Sequence, residues 1–150
     1  MFSQTLEYAL RAVVSLAQHV SKPLTAQNLS ELTQVPASYM SKVLQSLGKE
    51  GIIHATRGIR GGYSLARPAS ELSILDVINA IEPIKRIRTC PLGIKSHGTN
   101  LCPLHHRMDA VLESAEEAFG KTTLADLIAD SSRSTPLCEG RRVQLSVTNK

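Results

Sequence analysis

The chain has 150 residues, of which 42% are hydrophobic; three tyrosines and two phenylalanines are its only aromatic residues. This length fits one domain with an aliphatic core, or one compact domain with an appended helix, and it needs no disulfide or metal to fold. No apolar run approaches the roughly 20 residues of a membrane span, and no secretion signal is visible. Three cysteines are an odd number for a disulfide framework, so we expect a cytoplasmic protein without a membrane partner.

The formal net charge of +4 comes from the first half of the sequence. Residues 1–70 contain seven Lys or Arg against three acidic residues, whereas residues 71–150 contain ten of each. This asymmetry indicates a polyanionic partner, although an ordinary solvated surface can carry the same excess. A motif is needed to decide between these two interpretations.

Three helices are predicted in the first 50 residues. Apolar residues recur every three or four positions from Leu6 to Val20, which predicts an amphipathic helix ending near His19. The hydroxyl of Thr25 is suited to cap a short second helix. After a break at Pro36, a third helix is predicted over residues 37–50, with a glycine directly after it.

A β-hairpin and a fourth helix are predicted next. Short β segments over 52–55 and 63–65 are joined by Arg57-Gly58-Ile59-Arg60-Gly61-Gly62, whose glycines permit a tight hairpin tip. Ser73 is a suitable N-cap for a fourth helix, which Pro83 would end.

The remaining sequence contains one long helix. Residues 84–101 lack periodicity and contain proline and glycine, so they are predicted to form a loop. A helix is predicted over 103–119 and ended by Gly120, followed by a final turn over 123–129. The tail over 131–150, including Cys138, is predicted to be disordered and without a ligand role.

The order of helix, short turn, helix and glycine-rich hairpin predicts a winged helix-turn-helix. The fold class is therefore mainly α with a small β-hairpin, plus a long C-terminal dimerisation helix. We expect a DNA-binding domain over 1–83, a sensor or cofactor loop over 84–102, a dimerisation helix and terminal turn over 103–130, and the tail over 131–150.

The third helix and the hairpin carry the candidate DNA contacts. A helix that enters a major groove about 12 Å wide needs short or polar side chains on its free face, and a basic hairpin can lie along or insert into a minor groove. The partner is then a double-stranded DNA operator; the alternative is that the arginines are ordinary solvated hairpin residues. The predicted contacts are Ser38, Tyr39, Ser41, Lys42, Gln45, Lys49, Arg57, Gly58, Arg60 and Gly61.

The long helix carries a candidate dimerisation seam. Its apolar residues are spaced 4, 3, 4 and 3 apart, as in a coiled coil. This pattern predicts a homodimer, and the alternative is packing of the same stripe on the first helix. The seam residues are Leu104, Met108, Val111, Ala115 and Ala118.

The cysteine–histidine segment, residues 90–106, contains two thiols and three imidazoles. Such donors can bind a transition metal or an iron–sulfur cluster. The spacing is not that of a standard zinc site, because no pair of cysteines is separated by two residues. A redox-switchable disulfide between Cys90 and Cys102, or inert cysteines beside solvated histidines, are the alternatives.

With these elements placed, the chain resembles the regulator family typified by IscR and NsrR, also called the Rrf2 family, over about residues 1–129. The resemblance implies a homodimer with a winged helix-turn-helix, a long crossed dimerisation helix and regulation of transcription. The segments that carry it are Glu7-Tyr8-Ala9-Leu10-Arg11-Ala12, Ser38-Tyr39-Met40, Arg57-Gly58-Ile59-Arg60-Gly61-Gly62-Tyr63, Leu75-Asp76-Val77-Ile78-Asn79-Ala80-Ile81-Glu82 and Thr123-Leu124-Ala125-Asp126-Leu127.

The resemblance also implies ligands for an iron–sulfur cluster. Cys90 and Cys102 match the outer two of three family cysteines, and His105 matches a histidine that some members use as the fourth ligand. Glu7 occupies the place where some members supply a carboxylate from the partner subunit. The middle cysteine is missing and His97 stands beside its position, which implies either a 2Fe–2S rather than a 4Fe–4S site or a member that has lost the cluster.

These observations together predict a sequence-specific, homodimeric DNA-binding regulator, with repression as the expected output. Its DNA affinity would depend on an iron–sulfur cluster or on the thiol redox state of the cysteine–histidine segment. The alternatives are a regulator of the same fold without a cluster and a winged-helix module that binds protein. A metal-dependent enzyme is disfavoured, because no general base or nucleophile relay is visible in the sequence.

Overall fold

A computed structural model describes residues 2–130, 132, 134, 136 and 137. Within these residues, no helix is long and apolar enough to cross a membrane. The tail predicted to be disordered, including Cys138, lies outside the described residues apart from those four positions. The elements are α1 (Gln4–Gln18), α2 (Ala26–Thr33), α3 (Ala37–Lys49), β1 (Ile53–Thr56), β2 (Gly62–Leu65), α4 (Ile74–Ile81), α5 (Pro103–Lys121) and α6 (Leu124–Ala129).

Three of these helices begin with the same reciprocal cap. In α2 the hydroxyl of Thr25 accepts from the N–H of Asn28 (3.1 Å), and the side-chain oxygen of Asn28 accepts from the N–H of Thr25 (3.3 Å). Ser73 and Thr123 cap α4 and α6 in the same way. Each cap satisfies two backbone donors that the helix itself leaves free, so short polar motifs in the sequence determine where these helices start.

The core is built around α1, which packs against α2, α3, α4 and α6. Ala9, Ala12 and Val13 of α1 are completely buried. α3 contributes Met40, Val43, Leu44 and Leu47 from one face, and all four are at most 2% exposed. The opposite face of α3 therefore remains outside the core.

The wing, defined as residues 53–65, is an antiparallel hairpin in which Ile53 pairs with Leu65 and Thr56 with Gly62. It is attached to the helical core by Leu24 and Tyr63, which exchange backbone hydrogen bonds of 2.9 and 2.7 Å. Gly62 permits this approach, because its φ is +146° and a Cβ there would lie 2.7 Å from the carbonyl oxygen of Leu24. These residues confirm the mainly α fold with a small β-hairpin.

Two details of the predicted helices were wrong. Val20 was expected to belong to the buried stripe of the first helix, but α1 ends at Gln18 and Val20 is 77% exposed in the following turn. Gly120 was expected to end the long helix, but α5 continues to Lys121. Gly120 lies within the helix beside α4, where a Cβ would make an ordinary van der Waals contact with the side chain of Leu75 (3.4 Å).

The last helix returns to the N-terminal core. Leu124 at its start is completely buried, and its N–H donates to the carbonyl of Leu72 (2.8 Å). α5 differs from the other long helices, because none of its residues is buried. It therefore presents an apolar stripe that no other part of the described subunit covers.

Candidate nucleic-acid interface and sensor loop

The free face of α3 is polar along its whole length. Packing of Met40, Val43 and Leu47 into the core turns the predicted contact residues toward solvent. The hydroxyl of Ser41 donates to the carbonyl of Ala37 (3.2 Å), so its oxygen remains available as an acceptor. All six predicted residues of this helix are exposed: Ser38, Tyr39, Ser41, Lys42, Gln45 and Lys49.

Tyr39 has a positioning contact in addition to its exposed edge. Its ring packs edge-on against Tyr8 of α1, with ring centres 5.7 Å apart, and the ammonium of Lys42 lies 5.9 Å above its centre. The guanidinium of Arg11 lies over the ring of Tyr8, 5.7 Å from the centre of that ring. These contacts join the start of α3 to α1 through cation–π and aromatic interactions.

Glu7 also belongs to this group of contacts. Its carboxylate accepts from Arg11 at 2.6 Å, and Arg11 also donates to the carbonyl of Thr33 (3.1 Å). Glu7, the predicted partner-supplied ligand, is thus engaged by a side chain of its own helix, four residues away.

The wing places its two arginines at an exposed tip. β1 packs against α3, and residues 54–60 are all exposed. Gly58 has a φ of +109°, and a Cβ on Gly61 would fall directly onto the carbonyl oxygen of Thr56. The tip is therefore tight and narrow, and no ion pair among the described residues involves Arg57 or Arg60.

The seam predicted on α5 lies exposed in the subunit. Leu104, Met108 and Val111 are 64%, 49% and 64% exposed, and Ala118 is exposed too. Ala115 is half-buried. Packing of this stripe on the first helix, the alternative considered above, is not observed in the described residues.

The sensor loop, residues 84–102, is fixed to α5 at its start by an ion cluster. Arg86 is only 10% exposed and donates to both oxygens of Asp109, at 2.7 and 2.6 Å. Glu113 and Glu116 lie 3.2 Å from the same guanidinium, and the N–H of Ile87 donates to Asp109 (2.8 Å). The hydrogen bonds from Arg86 lower the pKa of Asp109 to about 2. In turn, the carboxylates of Asp109, Glu116 and Glu113 raise the pKa of Arg86.

The predicted metal ligands form two separate pairs. The Sγ of Cys90 lies 3.7 Å from the Nδ1 of His97, and the Sγ of Cys102 lies 3.4 Å from the Nδ1 of His105. Two ligands on one tetrahedral ion, with bonds of about 2.3 Å to sulfur and 2.0 Å to nitrogen, would be about 3.5 Å apart. Each thiol–imidazole pair therefore has the spacing of two ligands on one metal.

The two pairs are not joined into one site. Over the described part of the chain, no group of three or more Cys, His, Asp or Glu side chains could hold a metal ion. Both thiols are free, with Cys90 buried and Cys102 half-buried. Four of the five predicted ligands, all except Glu7, thus form two half-sites, and a single four-ligand site is not assembled within the described part of the subunit.

The structural roles of Arg86 and Arg11 were not predicted from the sequence. Asp109, Glu113 and Glu116 recur at helical spacing on α5, and no lysine or arginine follows any of them by four residues. That pattern was a usable signal, because like charges three and four residues apart on a helix repel one another and a basic side chain from elsewhere in the chain would relieve this. The other contacts of Arg11 left no comparable signal, since two of its three partners are neutral groups: the ring of Tyr8 and the backbone carbonyl of Thr33.

The fold, the polar face of α3 and the basic wing define a winged helix-turn-helix DNA-binding protein with one additional long helix. Residues 2–130 match the Rrf2 family, described as "Iron-dependent Transcriptional regulator", and the chain belongs to this family. The chain is therefore a DNA-binding transcriptional regulator.

Individual relatives agree with this assignment. An HTH-type transcriptional regulator of Mycobacterium tuberculosis, itself assigned by inference, is 32% identical over 127 residues, covering 83% of this chain and 79% of that protein. The structure of T. potens IscR matches with a TM-score of 0.73 and 26% identity, over 87% of both chains. The oxidized form of Staphylococcus aureus CymR matches with a TM-score of 0.65 and 25% identity, over 85% of this chain and 94% of that one. These relatives are regulators rather than enzymes, as predicted.

Proposed function

We propose that the protein is a homodimeric repressor that binds a double-stranded DNA operator and whose affinity depends on the state of the cysteine–histidine segment. The observation that carries this proposal is the exposed polar face of α3 beside a wing whose arginines are free of ion pairs. Groups that are neither buried nor neutralised are available for an external polyanion. Repression follows if the operator overlaps a promoter and excludes the polymerase.

In this proposal α3 enters the major groove and the wing follows the adjacent minor groove. Ser38 and Gln45 are short enough to contact base edges, while Lys42 and Lys49 contact phosphates. Arg57 and Arg60 add phosphate or minor-groove contacts, and the positive charges supply most of the affinity. Tyr39 holds the start of α3 against α1 through Tyr8 and presents its exposed edge to the backbone of the DNA.

The stripe on α5 is proposed to pair two subunits. Leu104, Met108 and Val111 form a row of exposed apolar side chains that association would remove from water. A two-fold dimer would place two copies of α3 about 34 Å apart, which matches successive major grooves on one side of the DNA. Pairing also doubles the number of phosphate contacts.

The two thiol–imidazole pairs are proposed to be the sensing groups. Cys90, His97, Cys102 and His105 would hold a 2Fe–2S cluster if the loop brings the two pairs together; when bound, the cluster would supply a one-electron redox centre. Glu7 from the partner subunit is the further candidate ligand. Direct oxidation of the two thiols is the second candidate, and it is favoured by their free state and by the oxidized form known for S. aureus CymR.

Binding to genomic fragments selected in vitro tests the DNA interface. Lys42→Ala with Gln45→Ala should reduce affinity for the selected sequence at least about tenfold, because a phosphate contact and a base contact are lost in each subunit. Lys121→Ala, on the last turn of α5, is the control and should bind normally. Equal affinity of all three proteins would refute the proposed interface.

Anaerobic purification tests the sensing groups. Iron, sulfide and a visible absorption band in the wild type, lost in Cys90→Ser and Cys102→Ser, would support the cluster. A colourless protein whose operator affinity changes with oxidation, and does not change in the Cys102→Ser variant, would support thiol sensing. A colourless protein whose affinity is independent of oxidation would remove both forms of control.

A further inference from the structure

A depression of about 700 Å³ lies beside the sensor loop, apart from the DNA-binding face, the α5 stripe and the thiol–imidazole pairs. Its walls come from residues 87–88 at the start of the loop, residues 99–101 at its end, and the first two turns of α5. Small-molecule sites in proteins typically occupy about 300–1,000 Å³. The depression thus has room for a metabolite rather than only for a single inorganic ion.

Two arginines without an ion pair line this depression among the described residues. Arg88 and Arg107 both line it, and no ion pair among the described residues involves either of them. Asp109 is the one carboxylate among the described lining residues, and its oxygens already accept from Arg86 and from the N–H of Ile87. Asp109 therefore makes no ion pair with either arginine among the described residues, although its charge also attracts Arg88.

Neutral donors complete the lining. The side chains of Thr99, Asn100 and His106 can each donate a hydrogen bond into the depression. Together with the two arginines, these donors favour a ligand with negatively charged oxygens.

We propose that this depression binds a small organic dianion, with one anionic group on Arg88, the other on Arg107, and the connecting carbon chain between them. Such a ligand would link the sensor loop to α5, since the two arginines lie on these two elements. Its role as an effector rests on the regulatory function proposed above, whereas its binding does not.

Isothermal titration calorimetry of the full chain without DNA tests the site. The probes are the dianions malonate, succinate and glutarate, with inorganic phosphate for comparison, all at one ionic strength set with chloride. We expect at least one dianion to bind more tightly than phosphate. Arg88→Gln with Arg107→Gln should weaken that binding about tenfold or more, because two charge-assisted contacts are lost. Lys95→Gln with Lys121→Gln removes the same charge outside the depression and should bind as the wild type does.

Three results would overturn the proposal: no binding by any dianion, phosphate binding as tightly as the best dianion, or equal binding by both double variants. Thermal melting confirms that the Arg88→Gln, Arg107→Gln variant is folded. Operator binding of the ligand-free wild type is measured in parallel, so that failure of the DNA-binding function is seen separately from failure of the dianion site.

Discussion

The wing arginines provide the sharpest test of the DNA-binding face. Replacing Arg57 and Arg60 by alanine removes four guanidinium groups from each copy of the proposed dimer assembly, and none of them is held in an ion pair among the described residues. If each contacts one phosphate, the slope of log affinity against log salt concentration becomes shallower by about 3.6, at about 0.9 per contact. Between 50 and 200 mM salt, these four contacts account for an affinity loss of about 150-fold in the wild type.

Fluorescence anisotropy with a labelled operator, repeated at five salt concentrations in that range, measures this slope directly. The control is Lys95→Ala with Lys121→Ala, which removes the same charge from outside α3 and the wing and should keep the wild-type slope. The reasoning is refuted if the wing variant and the control have equal slopes. A shallower slope in both would instead indicate a general effect of net charge.

Three further predictions concern the dimer, the wing and the sensor loop. Met108→Asp places a charge in the exposed stripe of α5 and should give a monomer in sedimentation at micromolar concentration; a dimer that persists would exclude this stripe as the interface. Gly62→Ala should lower the free energy of unfolding by about 1–3 kcal/mol in urea, because a side chain there meets the Leu24 carbonyl at a positive φ. Gly58→Ala is the control, because Gly58 also has a positive φ but a Cβ there would meet no described atom within 4 Å. Equal losses of unfolding free energy in the two variants would rule out the contact with Leu24 as the cause. Because the pKa of Asp109 is about 2 in the folded protein against 3.8 ordinarily, its contribution to stability is present above about pH 4 and lost as the pH falls toward 2. In the Asp109→Asn variant, the free energy of unfolding should therefore depend less on pH between about pH 4 and pH 2. The same pH dependence in the variant and the wild type would contradict this reasoning.

The sequence was sufficient to predict those parts of the fold that depend on residues adjacent along the chain. Thr25 and Ser73 start their helices as predicted, because an N-cap acts within three residues of itself. The buried face of α3 also follows from local periodicity. Val20 shows where periodicity fails, since an apolar residue at the right interval still lies in solvent once the helix has ended.

Contacts between distant elements could not be predicted in this way. The folding of the loop places Cys90 and Cys102 each beside a different histidine. The sequence shows only that these thiols and imidazoles lie in one segment, which had suggested a single metal site. Gly120 continues α5 instead of ending it, and the sequence around Gly120 carries no trace of its neighbour Leu75 on α4. The contact of Tyr39 with Tyr8 likewise joins residues 31 positions apart, beyond any helical period.

The backbone pairing between Leu24 and Tyr63 limits how the proposed repressor can leave its operator. The hairpin is bonded to the residue just before the N-cap of α2, so the wing cannot tilt relative to the helices unless two backbone bonds break. A signal from the loop is then expected to change the distance between two intact halves of a dimer. We therefore expect that one base pair more or fewer between the two half-sites of an operator reverses or abolishes the tighter binding of the uninduced protein.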